Sequence, residues 1–315
     1  MAWPDMVSRM KNILFTGVTS FSGFYFVKKM SENKNFRVFC ILTKNRTSYD
    51  FLRKKRIDLI SKKKNVHLIF NIKFGDRNFI KLLKKVFFNI ICFHHSYTKN
   101  FSSDKKFNFL KSLKENLNNV EQVFNHISKK STIIISNSYF QKSLKKKYNS
   151  FSKYGTSKDI TYETYKQFCN LNRIKYKSIF INNPWGVLEG KKLNYYLIKS
   201  WFEQRKTIIK YPLYIRDNIN IEQLSKKYNK IVLSKSLTKE YYPTGYCSSN
   251  KVFVEALRGE FEKFFKIKTK VKYLKNSKYN EPLIRTNSKK ITKKVKFKEK
   301  LDDYFKYYYD LFKRD

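Results

Sequence analysis

Cysteines and long apolar runs are scarce in this chain. Its four cysteines lie far apart and form no Cys-x-x-Cys pair, which argues against a zinc ribbon or a redox pair. His94 and His95 are adjacent rather than spaced for one helix face, so no metal site is expected. No apolar run reaches the ~18 residues of a membrane span, and the N-terminus lacks the apolar core of a signal peptide. We therefore expect a cytoplasmic protein.

Acidic residues are also few, since 24 Asp and Glu stand against 69 Lys and Arg, for a net charge of +45. Basic residues clustered in one patch would indicate nucleic acid. Here the lysines are spread along the chain, and the only alanines are Ala2 and Ala256. Abundant Lys, Asn, Ile, Phe and Tyr with little Ala is typical of an AT-rich genome. We therefore interpret the charge as biased composition, and nucleic-acid binding remains an alternative carried by the basic runs 53–56, 62–64 and 145–147.

Strand and helix patterns alternate along the chain. Hydrophobic residues at 41% and aromatic residues at 17% indicate a globular protein with one large or two unequal domains. Apolar runs predict strands at 13–15, 36–42, 66–70, 89–93, 131–135 and 176–181. Helical patterns occupy 24–30, 78–85, 107–128 and 154–170, and a basic polar segment follows the second strand. This alternation predicts an α/β, Rossmann-like fold with a doubly wound parallel sheet, whose ligands lie beyond the carboxyl ends of the strands.

A turn containing two glycines follows the first strand. Without side chains at these glycines, backbone amides at the start of the next helix can approach a pyrophosphate. Ser20 stands where the three-glycine version of this motif has its middle glycine. The candidate cofactor-binding residues of the turn are Gly17, Ser20, Phe21, Ser22 and Gly23.

The segment after the second strand indicates which dinucleotide the protein binds. A dinucleotide site commonly has an acidic side chain there for the ribose hydroxyls, whereas a basic one accommodates a 2′-phosphate. The chain has Lys44 and Arg46 at this point, and no carboxylate occurs before Asp50. The sequence therefore favours NADP over NAD.

The third motif is Tyr154 and Lys158, which are four residues apart after the fifth strand and share one helix face. An ammonium beside the phenol stabilises the phenolate and lowers the pKa of the tyrosine, which suits it for acid–base catalysis. A hydroxyl from Ser138, or alternatively Ser136, would polarise the substrate oxygen. These side chains predict hydride transfer to or from a sugar carbinol.

With these motifs the chain resembles the short-chain dehydrogenase/reductase superfamily. Within that superfamily it resembles the extended branch, which contains the NAD(P)-dependent sugar-nucleotide epimerases, dehydratases and reductases. The resemblance runs from about Lys11 to about Lys290 and implies that Asn71, His95, Ser96 and Asn116 contact the cofactor. Asn71 departs from the family's Asp, and His95-Ser96 departs from its usual Ala-Ala. The turn Asn183-Pro184-Trp185-Gly186 is similar to the family's Asn-x-Tyr-Gly turn, which implies that Asn183 lines both cofactor and substrate.

The second half carries the same resemblance. Residues 214–221 look like the family's Arg-Asp-Tyr-Ile-His-Val segment, and residues 281–289 look like its C-terminal segment. The resemblance implies that Arg216 and Arg285 bind a nucleotide diphosphate, whereas pairing with a carboxylate such as Asp217 is the alternative for Arg216. We expect a dinucleotide-binding domain at 10–185 and a smaller substrate-binding part at 186–315, with a late strand near 240–245 returning to the main sheet.

The expected function follows from these residues. Dehydratases of the family have an Asp-Glu pair after the catalytic hydroxyl, but Ser138 is followed by Tyr139 and Phe140. The resemblance therefore implies epimerisation of a nucleotide-activated sugar or reduction of a keto sugar, by a homodimer. The alternatives are a non-catalytic dinucleotide-binding regulator and an RNA-binding protein on the same fold.

Overall fold

The computed structural model describes residues 10–141, 150–236, 239–275 and 281–313. The basic run 145–147 lies outside the described residues. The strands are β1 Lys11–Thr16, β2 Phe36–Ile41, β3 Val66–Ile69, β4 Ile90–Phe93, β5 Thr132–Ser138, β6 Lys175–Ile181, β7 Asn183–Trp185, β8 Thr207–Ile209, β9 Ile215–Asn220, β10 Glu240–Tyr241, β11 Tyr246–Ser249, β12 Val271–Tyr273 and β13 Ile284–Arg285. The helices are α1 Phe21–Met30, α2 Phe51–Ser61, α3 Arg77–Lys85, α4 Phe109–Asn116, α5 Val120–Asn125, α6 Lys153–Leu171, α7 Leu193–Phe202, α8 Ile221–Leu233, α9 Asn250–Phe265 and α10 Asp302–Phe312.

The main sheet is parallel and has seven strands in the order β10-β6-β5-β4-β1-β2-β3. Its central strands are buried on both faces, as their near-continuous apolar sequences predict. The chain order along the sheet reverses between β1 and β4, which is the switch point at which doubly wound sheets bind ligands. The predicted Rossmann-like fold is therefore confirmed.

Helices flank this sheet. On one side α1 packs against α2, and Phe26 of α1 stacks on Tyr228 of α8 with ring centroids 3.8 Å apart. Another group contains α6, which packs against α4 and α5, and α3, which packs against α5. These helices bury the apolar side chains of the strands and leave the strand ends for the site.

Two sequence predictions about helices are wrong. The predicted helix 107–128 is broken into α4 and α5, because Asn119 adopts φ +45° and its side-chain amide donates to the carbonyl of Gly75 (2.8 Å). This hydrogen bond to a distant loop holds the turn between the two helices. The basic polar segment after β2 contains helix α2, which buries a narrow stripe of Arg56, Ile57 and Ile60.

The chain divides into two compact units. Unit 1 comprises residues 10–181 and 223–241, and unit 2 comprises residues 182–222 and 242–313, within the described residues. The first boundary lies at 181 rather than at the predicted 185, and most of α8 lies in unit 1 rather than in the second part. Strand β10 pairs with β6 at the edge of the main sheet, with Glu240 opposite Ser178.

Unit 2 has its own core and smaller sheets. Strand β9 pairs with β11, β13 and β7, and β8 pairs with β12. Its helices pack around two buried tryptophans, Trp185 and Trp201. Glu189 is buried beside this core and accepts hydrogen bonds from Tyr304 (2.7 Å) and Tyr308 (2.9 Å) of α10. Burial raises the pKa of Glu189 to about 7.

Candidate active site

The glycine turn after β1 is closed against neighbouring backbone. Gly17 has φ +79°, and a Cβ at this residue would lie 2.8 Å from the carbonyl oxygen of His94. A Cβ on Gly23 would lie 2.3 Å from the carbonyl oxygen of Gly17. Neither position accepts a side chain, because Gly17 packs on the turn that follows β4 and Gly23 packs on the carbonyl of Gly17.

Helix α1 begins at this turn with its positive dipole end exposed to the loop. The Ser20 hydroxyl caps the helix, since it accepts from the amide of Gly23 (3.0 Å) and donates to the carbonyl of Gly17 (2.9 Å). The first turn of α1 contains no acidic side chain. The turn therefore brings together the predicted residues Gly17, Ser20, Phe21, Ser22 and Gly23, and its form fits the pyrophosphate of a dinucleotide.

The turn after β4 is held by one threonine. The Thr16 hydroxyl accepts the amides of His94 (2.8 Å) and His95 (3.0 Å) and lies 2.9 Å from Nδ1 of His95. Nε2 of His95 lies 3.1 Å from the hydroxyl of Tyr165. Desolvation lowers the pKa of His95 to about 3, so the ring is neutral. Since both ring nitrogens and the amide of His95 have protein partners, its backbone carbonyl is the polar group left to contact a cofactor.

His94 lies beside the start of α1. Its Nε2 is 2.9 Å from the hydroxyl of Ser22, and desolvation, together with the charge of Lys158, lowers its pKa to about 3. A neutral ring next to the helix N-terminus adds no positive charge to the dipole of α1.

Asn116 joins the turn after β4 to the helices behind it. This buried side chain accepts from the amide of Tyr97 (2.9 Å) and donates to the hydroxyls of Ser112 and Thr161 (3.4 Å each). Asn116 therefore positions the turn. Any effect of the residue on cofactor binding would act through that turn.

Helix α6, which carries Tyr154 and Lys158, begins in close contact with the backbone that follows β5. Ser152 caps the helix by accepting from the amide of Gly155 (3.1 Å). A Cβ on Gly155 would lie 2.3 Å from the carbonyl oxygen of Phe140, which follows β5. This contact sets Tyr154 at the carboxyl end of β5, where Ser138 is the last strand residue.

The Tyr154 hydroxyl lies beside two serine hydroxyls. Burial raises the pKa of Tyr154 to about 12, and the nearby hydroxyls of Ser96 and Ser138 partly offset that rise. The sequence prediction that the pKa is lowered is therefore wrong, because desolvation outweighs the polar neighbours. The aromatic rings of Phe101, Phe107 and Phe140 pack around the phenol and produce this desolvation.

Lys158 is buried one turn along the same helix. Its ammonium donates to the carbonyl of Ser136 (2.9 Å), and burial lowers the pKa of Lys158 to about 8. The hydroxyl of Ser138 borders Tyr154, whereas that of Ser136 is buried beside Tyr228. Of the two serines named by the sequence, Ser138 is thus the one with its hydroxyl at the phenol.

The two basic residues predicted after β2 lie in different surroundings. Arg46 forms an exposed ion pair with Asp58, and Lys44 is exposed. Asn71 has φ +59° and donates to the side chain of Asn45 (2.5 Å), so the loops after β2 and β3 are tied together.

Sequence reasoning missed Arg56, which it counted in a surface basic run. The side chain is buried, its Nη1 donates to the carbonyl of Thr19 in the glycine turn (2.9 Å), and its guanidinium lies 5.7 Å from the ring centroid of Phe21. The helical stripe that Arg56 forms with Ile57 and Ile60 is the signal that could have found it.

In unit 2 the predicted arginines are neighbours on adjacent strands. Arg216 of β9 and Arg285 of β13 are in register, and both contact Oε2 of Glu281, at 3.0 and 3.1 Å. Asp217 instead accepts the amides of Gly245 (2.7 Å) and Asn287 (3.3 Å). The carboxylate partner of Arg216 is therefore Glu281 rather than Asp217.

Asn183 also lies in unit 2, where its side chain donates to that of Asn218 (2.6 Å). Among the described residues, no group of three His, Cys, Asp or Glu side chains is arranged to hold a metal ion. The described helices likewise include none with the length and apolar content needed to cross a membrane.

No family model matches the sequence, and no curated protein is similar to it. Solved structures are similar in fold. The UDP-glucuronic acid 4-epimerase of Bacillus cereus, in complex with UDP-glucuronic acid and NAD, has a TM-score of 0.73 at 16% identity, over 96% of this chain and 99% of that one. The UDP-N-acetylglucosamine 4-epimerase of Methanobrevibacter ruminantium has a TM-score of 0.69 at 17% identity, over 95% and 96%. The UDP-glucose 4-epimerase of Stenotrophomonas maltophila has a TM-score of 0.71 at 13% identity, over 97% and 100%. The chain therefore has, over nearly its whole length, the fold of these UDP-sugar 4-epimerases.

Proposed function

We propose that the protein is an NAD(P)-dependent enzyme that epimerises the sugar of a nucleotide-activated sugar. The observation that carries this proposal is the group formed by Tyr154, Ser138 and Lys158 at the carboxyl end of the parallel sheet, in the unit that also contains the glycine turn. A phenol beside a serine hydroxyl, with a buried ammonium one helical turn away, suits proton exchange with a sugar hydroxyl.

The residues present fit a dinucleotide. Gly17 and Gly23 allow close approach to the backbone of the turn, and the N-terminus of α1 would hold the pyrophosphate. Ser96 and the backbone at His95 belong to the neighbouring turn. When bound, the oxidised cofactor supplies a hydride acceptor and a positive charge.

In this proposal Tyr154 takes the proton of the sugar hydroxyl and later returns it. With its pKa raised to about 12, the phenol is a weak acid–base group until positive charge lies near it. Lys158, one helical turn away, donates to the carbonyl of Ser136, and its lowered pKa of about 8 leaves it mostly protonated at neutral pH. Ser138 hydrogen-bonds the reacting oxygen, and the aromatic rings around Tyr154 exclude water.

Epimerisation is preferred to dehydration because Tyr139 and Phe140 follow Ser138, so the carboxylate pair of a dehydratase is missing from these positions. Reduction of a keto sugar uses the same three side chains and is the second possibility. The similar enzymes named above are described as 4-epimerases with NAD or UDP-sugars, which supports the first.

We further propose NADP as the preferred cofactor. Lys44 and Arg46 follow β2, and the buried guanidinium of Arg56 contacts the glycine turn. Cations at this end of a dinucleotide site favour a 2′-phosphate. The ion pair of Arg46 with Asp58 weakens the attraction of Arg46 for a 2′-phosphate, so the proposed preference for NADP depends mainly on Lys44 and Arg56.

For the substrate, we propose that Arg216 and Arg285 bind the nucleotide diphosphate and that Asn183 borders the sugar. Two buried guanidiniums in register on neighbouring strands offer several donors on one side, which suits phosphate oxygens.

The test is Tyr154→Phe, with Tyr196→Phe as control because Tyr196 is 56% exposed on α7. The bound dinucleotide is first identified by mass spectrometry of the purified protein, and a panel of UDP-sugars is then followed by NMR. We expect epimerisation by the wild type and the control. Tyr154→Phe should lose turnover by at least about 100-fold with cofactor affinity nearly unchanged. Full activity of Tyr154→Phe would contradict the catalytic assignment, and dinucleotide binding without turnover of any sugar would favour the regulator.

A further inference from the structure

We propose that Glu281 is an internal anion that occupies the site of the substrate diphosphate, and that the two exchange when substrate binds. This inference rests on the proposed function of Arg216 and Arg285. A single carboxylate oxygen, Oε2, lies 3.0 Å from Nη2 of Arg216 and 3.1 Å from Nη1 of Arg285. Glu281 thus marks the point at which both guanidiniums meet an anion.

Arg216 has further contacts that do not depend on the Glu281 side chain. Its Nη1 lies 2.9 to 3.2 Å from the carbonyls of Ile215, Pro282 and Leu283, and its guanidinium lies 4.0 Å from the ring centroid of Tyr214. Pairing of β13 with β9 holds Arg285 in register. The guanidinium of Arg216 therefore keeps its place when Glu281 leaves, and the strand pairing keeps Arg285 beside it.

Glu281 is also the member of the group that can move. Its side chain is 34% exposed, whereas those of both arginines are 6% exposed. One carboxylate leaves the pair of guanidiniums with a net positive charge. A diphosphate brings more charge and more acceptor oxygens, so it can replace the carboxylate at both arginines. The cost of displacing Glu281 lowers the apparent affinity for the substrate.

The experiment uses UDP as probe and isothermal calorimetry on the full-length protein. Glu281→Gln removes the competing charge and keeps the shape of the side chain. We expect it to bind UDP about tenfold more tightly than wild type, because a partly exposed charge-assisted contact no longer competes. The melting temperature without ligand should fall, since two buried guanidiniums lose their counter-charge. Glu281→Ala should change UDP affinity in the same direction, and Glu260→Gln, at an exposed position of α9, should change neither property.

The outcomes distinguish a failure of the proposed exchange from a failure of the proposed diphosphate binding by Arg216 and Arg285. If wild type binds UDP, and Arg216→Met and Arg285→Met each weaken binding while Glu281→Gln strengthens it, the exchange is supported. If the arginine variants weaken binding but both Glu281 variants bind like wild type or more weakly, Glu281 only positions the arginines and the exchange is refuted. If wild type and the arginine variants bind UDP equally or not at all, the diphosphate contact and the exchange both fail.

Discussion

Gly155→Ala tests the idea that a backbone contact sets the catalytic geometry. The added Cβ would lie 2.3 Å from the carbonyl oxygen of Phe140 and 3.1 Å from its carbonyl carbon. Both atoms belong to backbone, so no rotamer change relieves the overlap. The first turn of α6 must move away from the end of β5 by about 0.7 Å to restore a contact of 3.0 Å. Tyr154 moves with that turn, and Ser138 stays on the strand.

The expected magnitudes follow from this displacement. Overpacking costs roughly 1 to 3 kcal/mol, and the better helix propensity of alanine returns about 1 kcal/mol, so a net loss of up to about 2 kcal/mol is expected. Displacing a catalytic group by about 1 Å can cost about 100-fold in rate. We therefore expect turnover to fall by roughly 10- to 100-fold, with little change in cofactor affinity.

The chain has a matched control in Gly259→Ala. This glycine is in the interior of α9, and a Cβ there would meet no atom within 4 Å. Alanine at this position should stabilise the protein by about 0.5 to 1 kcal/mol and leave turnover unchanged. Urea denaturation and the NMR assay of epimerisation measure both effects. If Gly155→Ala matches Gly259→Ala in stability and turnover, the contact with Phe140 does not set the geometry of Tyr154.

Two other predictions concern the cofactor and pH. Lys44→Asp combined with Arg46→Ala should shift the ratio of NADP to NAD dissociation constants toward NAD, and an unchanged ratio would show that neither residue contacts a 2′-phosphate. Burial raises the pKa of Glu189 from 4.5 to about 7, so unit 2 should lose stability as pH rises from about 4.5 to 7, by roughly 3 kcal/mol in all. Urea unfolding followed by tryptophan fluorescence should show this loss in wild type but not in Glu189→Gln, and equal pH profiles would contradict the assignment.

Much of the fold could be predicted because parallel strands that are buried on both faces have continuous apolar sequences. The glycine turn and the spacing of Tyr154 and Lys158 are likewise local patterns. Helix α2 could not be found in this way. It has three buried residues, one of them an arginine, and they do not stand out as an apolar stripe in a sequence so rich in lysine. The break between α4 and α5 depends on the loop at Gly75, which is distant in sequence.

The site was predictable in its residue types and less so in its electrostatics. The pKa of Tyr154 depends on aromatic rings from other segments of the chain, and the spacing of residues in the sequence does not predict which rings surround the phenol. Glu281 was noted in the sequence as part of a similar segment, but its position between two arginines follows from the pairing of β9 with β13. Contacts made across strands and loops therefore account for most of what the sequence did not predict.

The division of the chain into units has a consequence for dissecting the protein. The chain passes between the units after residues 181, 222 and 241, so neither unit is a continuous stretch of sequence. A fragment ending at 185 would lack β10 and α8, and with them the ring of Tyr228 that stacks on Phe26. Lys177 of β6 would also lose the α8 carbonyl of Ile231 that it hydrogen-bonds. A truncated first half should therefore be poorly soluble, and single-residue variants of the full chain are the better means of separating the two proposed binding activities.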